Sequence, residues 1–259
     1  MGIVNVTPDS FSDGGRHATT DAAVEHALRL VAEGADLLDI GGESTRPGAT
    51  PVAHSVELER VIPVLERLRD CGVPLSVDTR HPEVMRAAID SGAAMVNDVN
   101  ALQAQGALQI CARAGVGVCL MHMQGDPQSM QINPQYRDVV AEVKTFLSGR
   151  VAAAERAGIA REQIVIDPGF GFGKTLQQNL ALLRNLQALR LPGVPILAGL
   201  SRKSVLGAII GKSDDERMVA SAAAALLAVQ HGASVVRVHD VKATRNALAV
   251  LHAVEENHD

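Results

Sequence analysis

Eight short apolar runs punctuate the chain, at residues 2–5, 35–40, 74–78, 94–97, 116–121, 163–167, 194–198 and 234–238. Nearly every run ends on a polar residue able to do chemistry: Asn5, Asp39, Asp78, Asn97, His122, Asp167, Ser201 and His239. Between the runs the apolar positions follow a helical period. Alternation of this kind implies parallel strands joined by right-handed crossovers. Eight such units close an α/β fold, the (β/α)₈ TIM barrel, and bring all strand carboxyl ends to one face, where the active sites of such barrels lie. The eight polar residues would then converge.

The intervening helices have their own signals. The first follows Thr20, with Val24, Leu28 and Val31 at helical spacing and Gly34 as its stop. Ser55 is a candidate N-cap for the second, whose apolar face is Leu58, Val61, Ile62, Leu65 and Leu68. Pro82 suits the first turn of the third, which stops at Gly92. The fourth and fifth end near Gly115 and Gly158, and the sixth spans residues 176–189. Ser213 and Glu216 form a capping box for the seventh. The last carries Ala243, Ala247, Val250, Leu251 and Val254 on one face. No linker divides the chain, so residues 1–259 form one domain.

Composition narrows the function. Hydrophobic residues make up 47% and charged residues 20% of the chain, enough for a core and inconsistent with disorder. A net charge of −5 argues against a nucleic-acid or anionic-membrane surface. Without a charged-then-apolar leader or a run near membrane-span length, a cytoplasmic location is expected. Cys71, Cys111 and Cys119 are odd in number, lack a C-x-x-C pair and read as structural thiols. There is no Trp, and of the four Phe, Phe11, Phe170 and Phe172 fall in predicted loops. That placement suggests stacking on a flat ligand.

Asp39, Asp78 and Asp167 each close an apolar run, and together with Asn97 they point to a site, since buried carboxylates need partners. Such a set could read the edge of a nitrogen heterocycle, a carboxylate facing a guanidine-like N–H fork. Cations stand beside them: Ser201-Arg202-Lys203, Arg237 with His239, and Arg46. Barrels commonly bind phosphate after strands seven and eight, so a phosphorylated substrate follows. The stretch Asp167-Pro168-Gly169-Phe170-Gly171-Phe172-Gly173-Lys174-Thr175 is not a P-loop, because Pro168 occupies a required glycine position. It reads as a flexible loop that lets backbone approach a ligand. For His122 a structural role is favoured over a ligand or base, and zinc motifs are absent.

Three segments together resemble the dihydropteroate synthases: Asn5-Val6-Thr7-Pro8-Asp9-Ser10-Phe11-Ser12-Asp13-Gly14-Gly15, Gly41-Gly42-Glu43-Ser44-Thr45-Arg46-Pro47-Gly48, and the Asp167 to Lys174 run. Ser201-Arg202-Lys203-Ser204 and Arg237-Val238-His239-Asp240 match as well. The resemblance implies condensation of 6-hydroxymethyl-7,8-dihydropterin diphosphate with p-aminobenzoate to give 7,8-dihydropteroate and pyrophosphate, a step of folate biosynthesis that sulfonamide drugs target. It assigns the pterin to Asp78, Asn97, Asp167 and Lys203, with Asp39, Met121 and Phe172 nearby. Asp78, Asp167 and Lys203 would be the catalytic groups. Asn5 would meet a Mg²⁺ cofactor accompanying the diphosphate, and Asn5, Arg46, Arg237 and His239 would hold the anion. Thr45, Pro47, Ser201 and Phe11 would form the p-aminobenzoate site. A homodimer built through late helices is also implied.

The chain departs from the family's pattern at its start, where Met1 abuts the first strand without the usual short leader. A shortened leader is expected to leave the barrel floor without that cover. Two alternatives compete with the synthase reading, a methyltetrahydrofolate methyltransferase and a pterin-binding module without catalysis. The first two loop signatures and Ser201-Arg202-Lys203 disfavour the former. Intact Asn5, Asp78, Asp167, Lys203 and His239 disfavour the latter.

Overall fold

A computed structural model of the chain describes residues 1–7, 16–45, 48–210 and 214–256. Strands and helices alternate throughout. The order is β1 (Gly2–Asn5), α1 (Arg16–Ala32), β2 (Leu38–Gly41), α2 (His54–Leu68), β3 (Leu75–Asp78), α3 (Pro82–Asp90), β4 (Met95–Asp98) and α4 (Ala107–Ala114). It continues with β5 (Gly117–Met121), α5 (Val139–Arg156), β6 (Ile164–Asp167), α6 (Leu176–Arg184), β7 (Leu197–Ala198), α7 (Ser204–Ile210), α8 (Asp214–Gln230), β8 (Val235–Val236) and α9 (Val241–Glu256).

The first six strands pair in sequence order, all parallel, and β7 pairs with β8 in the same sense. Parallel bridges join the two sheets: Ile166 to Ile196 links β6 to β7, and Gly2 to Val238 links β8 to β1. The ring is a closed eight-stranded TIM barrel. Met1 fastens the last seam, its amino group donating to Val236 O (3.0 Å) and its carbonyl accepting from Val238 N (2.9 Å).

A period of two along each strand sorts the side chains. Val4, Leu38, Ile40, Leu75, Val77, Val96, Val118, Leu120, Ile164 and Ile166 face the helices and join the main core. Their neighbours point into the barrel, where Met1, Cys119 and Leu197 pack with Leu37, Met95, Val165 and Val235 as a separate apolar plug. Asp39, Ser76 and Asn97 are buried as well.

Several expectations change. Strand two runs on to Gly41, so Asp39 sits inside the barrel, not at its rim. The sixth helix breaks at Arg184, where Asn185 bonds back to Ala181 O, and a 3₁₀ turn covers Leu186–Leu189. An additional helix, α7, precedes the expected seventh one. Helix α2 starts at His54 with Ala53 as N-cap and no side-chain cap, so Ser55 does not fill that role. Helix α1 starts earlier, at Arg16, and buries Ala23, Val24, Ala27 and Leu30, while Leu28 faces out at 47% exposure. On α9, Leu251 is buried but Val250 and Val254 are exposed. The capping box at Ser213 lies outside the described residues. Cys111 and Cys119 are buried and their thiols are pushed up by desolvation, which keeps them inert.

Candidate active site

Asp78 ends β3, and the register aligns it with Gly41 on β2 and Asn97 on β4, while Gly41 aligns with Asn5 on β1. One level of the barrel therefore carries Asn5, Asp78 and Asn97 side by side. Asp39 lies beneath them, fully buried, and its Oδ2 accepts from Asn97 Nδ2 (2.9 Å) and Arg237 Nε (2.5 Å). The first contact orients the Asn97 amide. Arg237 reaches on to Asp78 Oδ2 (2.7 Å), so one guanidinium ties two carboxylates together. Burial pushes the Asp78 carboxyl up to about 7, against the opposing pull of Arg237.

Asp167, at the end of β6, spends Oδ1 on Gly169 N (2.7 Å). Its other oxygen and Lys203 Nζ both come within 4 Å of the space a Cβ would fill at Gly199 (3.9 and 3.8 Å). A Cβ at 199 would touch both groups at ordinary van der Waals distance, so the two stand on either side of the same small space. Lys203 also donates to Phe170 O, and its ammonium lies 4.6 Å from the centre of the Phe172 ring. Burial lowers its pKa to about 8, partly offset by Asp167. Met121 pairs with Asp167 across β5 and β6, and packs with Val99, Met130 and Phe172 into an apolar wall beside these polar groups. Val99 and Met130 carried no signal in the sequence, since a single apolar residue in a loop is unremarkable there.

Phe170 does not stack on anything in the site; it is fully buried in the main core. Nor is the loop around it a flexible one. Gly169 has φ +69° and a Cβ there would stand 1.9 Å from His122 O, while at Gly173 (φ +60°) it would stand 2.5 Å from Gln124 O. The glycines let the loop lie directly on the β5–α5 connection. Lys174 then ties it down, donating to His122 Nδ1 (3.0 Å), Gly169 O (2.9 Å) and Phe172 O (2.8 Å). Thr175 follows as the N-cap of α6 in a capping box with Gln178. His122 is thereby assigned a structural role. It is buried edge-on to Phe146, and desolvation lowers its pKa to about 3, so it accepts from Lys174 as a neutral ring.

Across the mouth, Ser201 Oγ lies 3.0 Å from His239 Nδ1 and accepts from His239 N (3.1 Å), joining the segments after β7 and β8. Arg202, at φ +55°, turns away to fork onto Asp240 (3.0 and 2.6 Å) and does not belong to the cation cluster. Arg237, expected at the anion, bridges Asp39 and Asp78. Thr45 is half-buried at the root of the β2–α2 loop. Phe11, Arg46 and Pro47 lie outside the described residues.

The carboxylates, amide and ammonium can read a planar nitrogen heterocycle, with the apolar wall for its face.

Comparison with known proteins agrees with this chemistry. The family model described as pterin binding enzyme matches residues 1–239. The chain is 52% identical over 262 residues to a dihydropteroate synthase of Neisseria meningitidis serogroup C, covering 99% of this chain and 93% of that protein. It superposes on Xanthomonas albilineans dihydropteroate synthase with 4-aminobenzoic acid at a TM-score of 0.94 and 58% identity, covering 100% of this chain and 93% of that one. A structure of the same enzyme in complex with 7,8-dihydropteroate gives a TM-score of 0.90 at 54% identity, with 100% and 94% covered.

Proposed function

We propose, from the premise that the chain belongs to the pterin binding enzyme family as a dihydropteroate synthase, a division of labour among its residues. It condenses 6-hydroxymethyl-7,8-dihydropterin diphosphate with p-aminobenzoate, releasing pyrophosphate and forming 7,8-dihydropteroate. The observation that carries the site assignment is the convergence of Asp78, Asn97, Asp167 and Lys203 on one barrel mouth, with Asp39 and Arg237 beneath.

In our reading Asp167 and Asn97 hold the pterin through its N–H and carbonyl edge, Lys203 donates to a ring acceptor, and Met121 and Phe172 cover its face. Departure of pyrophosphate leaves positive charge on the pterin methylene, delocalised into the ring. Asp78 stands where a carboxylate stabilises that charge as it develops. Arg237 holds Asp78 in place. The p-aminobenzoate amine is neutral at pH 7, so it attacks without a strong general base and loses its proton after the bond forms. Ser201, Thr45, Pro47 and Phe11 are proposed for that second substrate, and His239 and Arg46 for the diphosphate.

Asn5 fits a Mg²⁺ site on its chemistry. It offers a neutral hard oxygen on the same barrel level as Asp78, and Mg²⁺ commonly takes one or two protein ligands with substrate phosphates supplying others. When bound, the ion would neutralise charge on the departing diphosphate.

Two coarser features complete the reading. No helix among the described residues is long and apolar enough to cross a membrane, and with its cysteines free we place the protein in the cytoplasm. Ile209 of α7, Met218, Val219 and Leu227 of α8, and Val250 and Val254 of α9 are exposed apolar residues, and their concentration on the late helices supports a homodimer through them.

The test is direct. The chain, Mg²⁺ and both substrates should yield dihydropteroate and pyrophosphate by mass spectrometry. Folded protein that binds the pterin without forming product would make it a binding module instead.

A further inference from the structure

At the root of the β2–α2 loop, beside the end of β3, three potential ligands meet. Glu43 follows β2, Glu57 lies in the first turn of α2, and His81 is the N-cap of α3. One ligand atom from each lies within 4.8 Å of the others. His81 Nε2 is 3.7 Å from Glu43 Oε2 and 3.9 Å from Glu57 Oε2.

Glu57 makes this more than an acidic cluster. Its side chain is 0% exposed, yet neither carboxylate oxygen has a hydrogen-bond partner of good geometry, and the buried His81 Nε2 has none either. The neighbouring Thr79 hydroxyl accepts from His81 N (3.2 Å) and sits close enough to Glu57 to lower its pKa, without completing a hydrogen bond of good geometry. A buried carboxylate left in this state costs several kcal/mol unless a proton or a cation compensates it. Two of the unpartnered atoms, Glu57 Oε2 and His81 Nε2, stand 3.9 Å apart.

We propose that Glu43, Glu57 and His81 form a site for a divalent transition-metal ion, with zinc as the best match to one imidazole and two carboxylates. Zinc sits about 2.0–2.2 Å from such ligands, so tetrahedral ligands lie roughly 3.4 Å apart. The two separations from His81 Nε2, 3.7 and 3.9 Å, are within about half an ångström of that, and the two carboxylates lie within 4.8 Å of each other. The surroundings are built to hold the set. Arg80 donates to both oxygens of Glu43 (3.0 Å each), Val52 N donates to Oε1 (3.1 Å), and Arg60 holds Gly42 O (2.7 Å). A Cβ at Gly42 would press on Glu57 Cγ at 3.0 Å, a measure of how closely the loop root packs on α2. Two carboxylates against one guanidinium leave the site net negative, and the fourth position falls to water. A bound ion would fasten the root of the β2–α2 loop to α2 and to the β3–α3 connection.

Calorimetric titration of Zn²⁺ into chelator-stripped full chain without a histidine tag tests this. About one Zn²⁺ per chain is expected, undisplaced by millimolar Mg²⁺, with a rise in Tm of roughly 5 °C at saturation. Glu57→Gln should weaken binding at least about tenfold. His81→Ala, at a half-buried helix terminus, should do the same and serves if the first variant does not fold. Absence of saturable binding, or binding that both variants leave unchanged, overturns the proposal and leaves His81 as an ion-pair partner bridging two carboxylates.

Discussion

Asp78→Asn separates binding from chemistry at this site. Asparagine keeps the shape and an acceptor oxygen, so pterin diphosphate affinity should fall less than about tenfold, the worth of converting one charged hydrogen bond to a neutral one. Arg237 keeps Asp39 as its partner, so the barrel mouth stays assembled. The charge term is larger. A carboxylate about 4 Å from a developing unit of positive charge contributes about 4 kcal/mol at an effective dielectric near 20. Asp78 is 13% exposed, which trims that to about 3 kcal/mol, or a slowing of pyrophosphate loss by roughly 10²-fold. Rapid-quench single turnovers with enzyme in excess measure the step. Because burial raises the carboxyl to about 7, the wild-type rate at subsaturating substrate should fall as pH drops below 7, and the variant should lose that limb. An unchanged single-turnover rate, with only weaker binding, would refute the electrostatic role.

Lys203→Ala should weaken pterin diphosphate binding about 10- to 100-fold and shift Tm by only a few degrees, since the ammonium is itself held against desolvation; calorimetry against a thermal melt checks both. Gly169→Ala should cost more than about 4 kcal/mol in a denaturant melt, because the new Cβ would stand 1.9 Å from His122 O at a positive φ; a stable variant would mean that the loop moves as a unit. In chelator-treated protein, Glu57 adds a pH dependence. Its pKa is raised from 4.5 to about 7 by burial, so its contribution is fully present below 4.5 and lost as pH rises through 7, about 3 kcal/mol in all. The stability difference between wild type and Glu57→Gln, followed by denaturant melts from pH 4.5 to 8, should change by that amount.

Strand-helix alternation made the barrel legible, because buried parallel strands read as apolar runs and their ends must carry the ligand chemistry. The same periodicity misled at the surface. Leu28, Val250 and Val254 obey helical spacing but face outward, as small residues such as Ala23 and Ala27 do the close packing of α1. Helix α7 escaped because Ser204–Ile210 is short and follows a two-residue strand. In the site, Asp78, Asn97, Asp167 and Lys203 were legible one by one. Their couplings were not: Arg237 meets Asp39 across 198 positions of chain, a pairing that only closure of the barrel creates. Glu57 did leave a trace, falling one helical turn before Val61 on the buried stripe of α2. The work of Lys174 on three carbonyls and the His122 ring follows from loop packing that spacing does not reveal.

A crystal structure of the chain with 6-hydroxymethyl-7,8-dihydropterin diphosphate tests the central claim most directly. The account predicts the ring between Asp78–Asn97 and Asp167–Lys203, its face on Met121 and Phe172, and the diphosphate toward Asn5 and His239. A pterin bound elsewhere, or one in the barrel mouth that touches neither Asp167 nor Lys203, would contradict it.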